Sequence, residues 1–172
     1  MEAAMRRTAE LGLMLALAML LSYVESLIPL SFGIPGIKLG LPNLIVLLLL
    51  YEGGKAREAL LVNGLRIVLS GFLFSNLYTI LYALAGAALS FPAMLIGRRT
   101  KRLSMMGVSV LGGVFHNVGQ LLMAMAVVET FTVAYYTPFL IVAGTVTGAL
   151  LGFVGMQLLP YLRRLNREAE KK

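Results

Sequence analysis

Three long stretches of this chain contain no charged residue. They run from residue 67 to 97, from 103 to 128 and from 130 to 162, which are lengths of 31, 26 and 33 residues. A helix needs about 20 apolar residues to cross the roughly 30 Å hydrocarbon core of a bilayer, and it satisfies its own backbone hydrogen bonds there. The mean hydropathy of +0.86 agrees with such an environment. The sequence therefore predicts an all-α, polytopic membrane protein.

The composition limits the classes to which the protein can belong. At 172 residues, the chain holds a single transmembrane domain over 1–172, because no stretch is polar and long enough for a soluble domain. The first apolar helix is followed by further spans, so we interpret it as a membrane helix rather than a cleaved signal peptide. A net charge of +7 would indicate nucleic-acid binding in a soluble protein. Here contact with the membrane lipid surface explains it, and we expect no nucleic-acid partner.

The apolar runs predict six transmembrane helices, at residues 9–30, 38–51, 59–74, 76–97, 105–128 and 137–160. The second helix is the shortest candidate, because its apolar run covers only residues 39–51 and contains Pro42. If it were a re-entrant segment, the four charges of the following turn, residues 52–58, would lie in hydrocarbon, which is costly. Six spans are therefore favoured over four, with helix 2 short or irregular near Pro42.

The distribution of positive charge predicts the orientation. With both termini in the cytoplasm, 13 of the 15 lysines and arginines fall on the cytoplasmic side, and only Lys38 and Arg66 fall elsewhere. Cytoplasmic loops of membrane proteins carry such an excess of Lys and Arg. The turns at residues 31–37, near 75 and at 129–136 then face outside. We expect the first of them to pack over a cavity that opens outward.

Small residues mark surfaces where helices approach closely. The last helix carries a ridge of Gly144, Gly148 and Gly152, and the first helix carries the pairs Gly12/Ala16 and Ala18/Ser22. Two interpretations stand at this point. The ridges pack inside one bundle, or they dock a partner membrane subunit.

Several polar residues within the predicted spans fall at a similar depth. Ionisable groups inside a span are costly and are functional candidates by default. Glu25 lies near the outer end of helix 1, and Arg66 lies near the middle of helix 3. The residues that we predict to line or support one outward-half cavity are Glu25, Lys38, Asn43, Arg66, Asn76, His116, Asn117 and Gln120.

Each of these residues also has a purely structural interpretation. Arg66 and Glu25 are then a buried ion pair that touches no ligand, while His116 and the asparagines join helices by hydrogen bonds of about 0.6 kcal/mol each. Tyr135 and Tyr136 belong to an interfacial aromatic belt or cover the mouth of the cavity. The prediction of a site therefore rests on the clustering of polar groups at one depth and not on any single residue.

The sequence lacks the motifs of common catalytic and cofactor sites. It has no cysteine, no aspartate and a single histidine, His116, which excludes zinc and haem sites of the usual kinds. The turn Glu-Gly-Gly-Lys-Ala at 52–56 lacks the leading glycine and the Ser/Thr of a phosphate-binding loop. We therefore expect no ATP hydrolysis, no metal, no cofactor and no catalytic activity in this chain.

Several strings of the sequence resemble a bacterial membrane-protein family. They are LSYVESLIP at 21–29, IPGIKLGLPN at 34–43, NGLR at 63–66, SMMGVSVLGG at 104–113, FHNVGQ at 115–120 and YYTP at 135–138. Together they resemble the family catalogued as heptaprenyl diphosphate synthase component I, also called Gx transporters, over nearly the whole chain. Pro42 departs from the family pattern, which has alanine there, but proline is tolerated in a first helical turn.

The resemblance implies a bacterial cell-membrane protein and two classes of function. Prenyl diphosphate synthases hold Mg²⁺ through aspartate-rich motifs, so a chain without aspartate is at most an accessory in that reaction. The family's six-helix layout is similar to that of the S components of energy-coupling-factor transporters, which capture vitamins or related molecules and work with a coupling membrane subunit and two ATPases. Family members also occur beside flavin-binding proteins of extracellular electron transfer. We therefore expect a vitamin-, isoprenoid-, quinone- or flavin-like ligand, bound for import or for an accessory redox or biosynthetic role.

Overall fold

The computed structural model describes residues 2–28, 40–53 and 55–170. Its helices are α1 (Glu2–Leu27), α2 (Asn43–Glu52), α3 (Ala56–Phe74), α4 (Leu77–Arg99), α5 (Met105–Val128) and α6 (Thr137–Glu170), with a 3-10 helix (Phe131–Tyr136) before α6. No strand occurs within these ranges, so the predicted all-α class is confirmed. The predicted first turn, residues 31–37, lies outside the described residues.

Four helical segments are long and apolar enough to cross a membrane. They are Ala4–Leu27 in α1, Leu77–Arg99, Met105–Val128 and Phe131–Glu168. Within the described chain α2 and α3 do not meet this criterion: α2 has 10 residues, or about 15 Å of helix, and α3 carries charged residues. The chain is therefore a helical protein of the membrane class, and the count of six spans stays a prediction.

The short helix α2 lies at the centre of the bundle. Pro42 precedes its first residue, and Gly53, with a φ of 113°, ends it in the left-handed conformation that favours glycine. Every residue from Leu44 to Leu50 is buried, as expected for a helix that is apolar all round. Around it packs the main apolar cluster, to which α1, α3, α4, α5 and α6 all contribute.

Helix α5 lies between α4 and α6, and glycines allow both contacts. A Cβ atom on Gly144 of α6 would lie 2.8 Å from the carbonyl oxygen of Gly113, and one on Gly119 would lie 2.5 Å from the carbonyl oxygen of Ala85 in α4. Because backbone atoms cannot move aside as a side chain can, only glycine permits these approaches. The glycine ridge of α6 therefore packs within the chain's own bundle.

The two small-residue pairs of α1 have different surroundings. Ala18 and Ser22 are buried against the rest of the bundle. Gly12 and Ala16 are exposed, and Gly12 has open space where a Cβ atom would lie. The pair Gly12/Ala16 thus remains a surface on which another helix could approach closely.

Charged groups tie the helix ends together at one end of the bundle. Arg7 of α1 donates to Glu58 of α3 across 2.9 Å, and this hydrogen bond holds the pKa of the Glu58 carboxyl below its usual range. Arg163 of α6 donates to the carbonyl oxygen of Tyr51 across 2.8 Å. The Arg98 guanidinium of α4 lies 5.6 Å from the centre of the Tyr51 ring. We call this end of the bundle the basic end. The opposite end, at which α1 ends at Leu27 and α4 begins at Leu77, is called the mouth end.

Cysteine labelling tests the six-span arrangement, because the chain has no native cysteine. We expect Lys55→Cys to react with a membrane-impermeant maleimide only from the cytoplasmic side, since the turn between α2 and α3 lies at the basic end. Tyr135→Cys, at a position that is 87% exposed before α6, should react only from outside. Lys101→Cys, also at the basic end, is the matched control. Labelling of positions 55 and 135 from the same side would contradict six spans.

Candidate functional site

A polar cavity of about 100 Å³ lies inside the bundle, and residues of all six α-helices line it. Ser26, Ser75 and Thr79 line it at the mouth end, and Met94 and Ser109 line it towards the basic end. Ser109 lies in the second turn of α5, which begins at the basic end. The cavity therefore extends beyond the outward half in which the sequence placed the site.

Arg66 is the buried charge of this cavity. Its side chain is only 8% exposed, and its Nη2 atom donates to the Oδ1 atoms of Asn63 at 2.6 Å and Asn43 at 3.3 Å. Its Nε atom has no hydrogen-bond partner within the described residues. Leaving a buried donor without a partner costs about 1–3 kcal/mol, and more for a charged group. Among the described residues, the Nε of Arg66 is thus a fully enclosed donor without a partner.

Glu25 lies near the mouth end of the cavity and is held by the backbone. One of its carboxylate oxygens accepts the backbone N–H of Gly40. Gly40 has a φ of 71°, a left-handed conformation that favours glycine. The negative charge of Glu25 acts on Arg66 through space, while the direct hydrogen bonds of Arg66 go to asparagines. The two charges thus share one cavity and are supported by different neutral groups.

Helix α5 presents His116, Asn117 and Gln120 to the cavity in addition to Ser109. Asn117 donates to the carbonyl oxygen of Leu140 across 2.9 Å and so also joins α5 to α6. His116 packs against Gly86, where a Cβ atom would lie 2.6 Å from the imidazole Nδ1. Gln120 is 6% exposed, and no described residue hydrogen-bonds its amide. Its amide is thus available to a ligand or to water.

Most of the predicted site residues meet at this cavity. The six that line it are Glu25, Asn43, Arg66, His116, Asn117 and Gln120. Asn76 does not line it: its side chain is exposed and accepts the backbone N–H of Thr79 across 2.9 Å. Asn76 is thus the N-cap of α4, which is a common role for asparagine at a helix start. Lys38 lies outside the described residues.

Several hydroxyl groups of the lining were not among the predicted site residues. Ser22, Ser90, Ser109 and Thr147 all contribute to the cavity wall. Ser22 and Thr147 donate to carbonyl oxygens of their own helices, a pattern that makes hydroxyls unremarkable in apolar helices. The sequence did contain one signal that pointed to Ser109. Ser109 lies 7 and 11 residues before His116 and Gln120, which places all three on one face of α5.

The arrangement is suited to binding a molecule with hydrogen-bonding groups. It combines one cation, one carboxylate, an imidazole, four amides and several hydroxyls around a small space. No group of three metal-ligating side chains occurs among the described residues. The chemistry that these side chains offer is therefore recognition of a polar group within an otherwise apolar bundle.

Comparison with known proteins gives one finding. A protein-family model described as heptaprenyl diphosphate synthase component I matches residues 14–158. That range includes every residue that lines the polar cavity. No curated protein and no solved structure matches the chain.

Proposed function

Because the chain belongs to the heptaprenyl diphosphate synthase component I family, we propose that it is one membrane subunit of a larger assembly and binds a small molecule for its partners. The family description names one component, which implies a second subunit. In the more specific form of the proposal, the chain acts like an S component. It captures an organic molecule from outside and depends on a coupling membrane subunit and separate ATPases.

The observation that carries this proposal is the state of Arg66. A charge within a transmembrane bundle is costly, and this one keeps an N–H group without a partner inside the described chain. Replacing a buried pair of opposite charges, here Arg66 and Glu25, by apolar side chains is often neutral or stabilising. Stability alone therefore gives little reason to keep an arginine here. An acceptor on a ligand supplies such a reason.

The lining groups favour a ligand with at least one hydrogen-bond acceptor. A carboxylate, carbonyl or quinone oxygen fits a guanidinium, and the amides of Asn43, Asn117 and Gln120 provide further donors and acceptors. The Nε atom of Arg66 is covered in this structure, so the side chain turns slightly to meet the ligand. Vitamin-, flavin-, quinone- and isoprenoid-like molecules with an oxygen-bearing head group meet this requirement.

The size of the cavity adds a condition. Its volume of about 100 Å³ is below the roughly 300–1,000 Å³ of pockets that enclose drug-sized ligands. A whole vitamin-like molecule therefore requires the helices that line the cavity to move apart.

Two further features support import. The cavity reaches the mouth end and extends from that end into the bundle. The basic end lies opposite, and its positive charges favour the cytoplasmic side of the membrane. The exposed pair Gly12/Ala16 of α1 leaves a surface for close approach by a coupling subunit. In this proposal ATP hydrolysis belongs to a partner, because the sequence has no phosphate-binding loop.

The alternative is an accessory role in quinone or isoprenoid biosynthesis, or in flavin- or quinone-linked electron transfer. The family description favours it, because it names the synthesis of a prenyl diphosphate. The same cavity would then hold a quinone or flavin head group without transporting it. Since the chain has no aspartate, metal-dependent prenyl transfer would belong to the partner component.

Native mass spectrometry of the full-length protein, purified in mild detergent, tests the proposal. We expect one small molecule to co-purify with each chain. The molecule, once identified, should accumulate in vesicles only when partner ATPases and ATP are supplied. Tight binding without translocation under any partner combination, with loss of reduction of an external acceptor on gene deletion, would favour the accessory role. A protein that never carries a small molecule would contradict both.

A further inference from the structure

An apolar groove of about 520 Å³ lies on the outside of the bundle between α4 and α5. It shares no lining residue with the polar cavity. Pro92 and Ala93 of α4 form one wall, and Leu111 and Phe115 of α5 form the other. Phe115 is 41% exposed, so the groove is open to the surrounding lipid.

Several of the α4 residues along the groove are small, although Leu89 and Ile96 also line it. Ala88, Ala93 and Gly97 lie along it, and Thr100 donates its hydroxyl to the carbonyl oxygen of Gly97 across 2.8 Å. This bond leaves the walls without a polar group that needs a ligand partner. Such a surface suits a hydrocarbon chain and offers nothing to a polar molecule.

The groove ends beside a cluster of positive charge. Thr100 and Leu103 line this end, and the turn between α4 and α5 adds Arg99, Lys101 and Arg102, all of which are exposed. None of these three forms an ion pair within the described part of the chain. We call these three residues the basic turn.

We propose that the groove binds one anionic phospholipid, with an acyl chain along α4 and α5 and the phosphate at the basic turn. The occupant must join a hydrocarbon chain to an anion, because the groove is apolar and the charges beside it are uncompensated. A neutral lipid fills the groove but leaves the cations unpaired, and a soluble phosphate does the reverse. Basic pockets between helices at the cytoplasmic side bind anionic head groups for this reason. This inference does not depend on the ligand of the polar cavity.

Competition between two lipids with identical acyl chains tests the head-group part. The full-length protein is incubated in micelles with equal amounts of phosphatidylglycerol and phosphatidylcholine, and bound lipid is counted by native mass spectrometry. We expect one phosphatidylglycerol to be retained. In the variant Arg99→Gln/Lys101→Gln/Arg102→Gln, the preference for phosphatidylglycerol over phosphatidylcholine should fall about tenfold or more. The reason is that each cation near an anionic lipid contributes about a fivefold preference.

The matched control is Arg57→Gln/Arg164→Gln/Arg167→Gln. It removes the same charge at exposed positions of the same end of the bundle but leaves the basic turn intact, so the preference should persist. An equal loss of preference in both variants would show that net charge alone causes the effect, and it would overturn the proposal.

The variant Ala93→Phe tests the groove itself, because the added ring fills the space between α4 and α5. We expect it to lose the retained phosphatidylglycerol although all cations remain. Unchanged retention of phosphatidylglycerol would overturn the placement of its acyl chain in the groove. Preferential retention of an added long-chain polyprenyl phosphate over phosphatidylglycerol would overturn the choice of a phospholipid as the occupant.

Discussion

Replacing Arg66 by methionine is expected to weaken binding of the cavity ligand about 10- to 100-fold while the protein remains folded. A hydrogen bond to a charged group contributes about 1.5–3 kcal/mol, and each 1.4 kcal/mol is a factor of ten in affinity. Methionine has a similar length and an apolar, flexible side chain, so it fills the space of the guanidinium. The measurement is the fraction of protein that retains the co-purified molecule in native mass spectrometry.

The same variant is expected to unfold at a somewhat lower temperature than the wild type. Methionine leaves Glu25 without its opposite charge and the Oδ1 atoms of Asn63 and Asn43 without their donor, and removing one partner of a buried pair is destabilising. A purely structural Arg66 predicts this same fall in unfolding temperature but with unchanged ligand retention. That result would contradict the proposed role.

Two further variants sharpen this experiment. Arg66→Lys keeps the positive charge but loses the planar arrangement of donors, so we expect an intermediate loss of binding. Arg57→Met makes the same substitution in the same helix at an exposed position and should change neither binding nor stability. A loss of binding in Arg57→Met would show that the effect does not arise in the cavity.

Most of the helices were predictable because a bilayer requires long apolar segments. The predicted ends of α3, α4 and α5 agree with the structure within a few residues. Helices α1 and α6 extend further than predicted, because they continue beyond the apolar run on charged pairs one turn apart. Arg6 and Glu10 approach to 3.4 Å, and Arg164 and Glu168 to 2.9 Å. Such pairs support a helix in water, which hydropathy alone does not detect.

The candidate site was predictable in part because depth can be counted along a helix. Counting residues brought Glu25, Arg66 and Gln120 to comparable depths, and the structure places all three on one cavity. Depth does not define the direction in which a side chain points. Asn76 has a suitable depth but lies at a helix start, where its amide caps α4.

Neither the volume of the cavity nor the existence of the apolar groove was predictable from the sequence. Both depend on how closely α4, α5 and α6 approach, and that distance is set by contacts between backbones at glycines. A sequence shows that the small residues are present but not which helix they meet. The ridge on α6 meets α5, whereas Gly12 on α1 meets nothing in the described chain.

Replacing Gly144 by alanine should therefore lower the unfolding temperature of the protein. The new Cβ atom would lie 2.8 Å from the carbonyl oxygen of Gly113 and 2.9 Å from the Cα atom of Val114. Overpacking of this kind costs about 1–3 kcal/mol, which corresponds to roughly 3–10 °C for a chain of this size. Thermal unfolding in detergent, followed by circular dichroism, measures the shift.

Gly64→Ala is the matched control, since Gly64 also lies within a helix but has no atom within 4 Å of its added Cβ. Alanine there gains up to about 1 kcal/mol of helix propensity, so the unfolding temperature should stay equal or rise. Gly144 does not line the polar cavity, but α5 carries His116, Asn117 and Gln120 into it. Moving α5 away from α6 should therefore also weaken ligand binding in Gly144→Ala and leave it unchanged in Gly64→Ala. If the two variants unfold at the same temperature, the close contact between α5 and α6 does not stabilise the bundle.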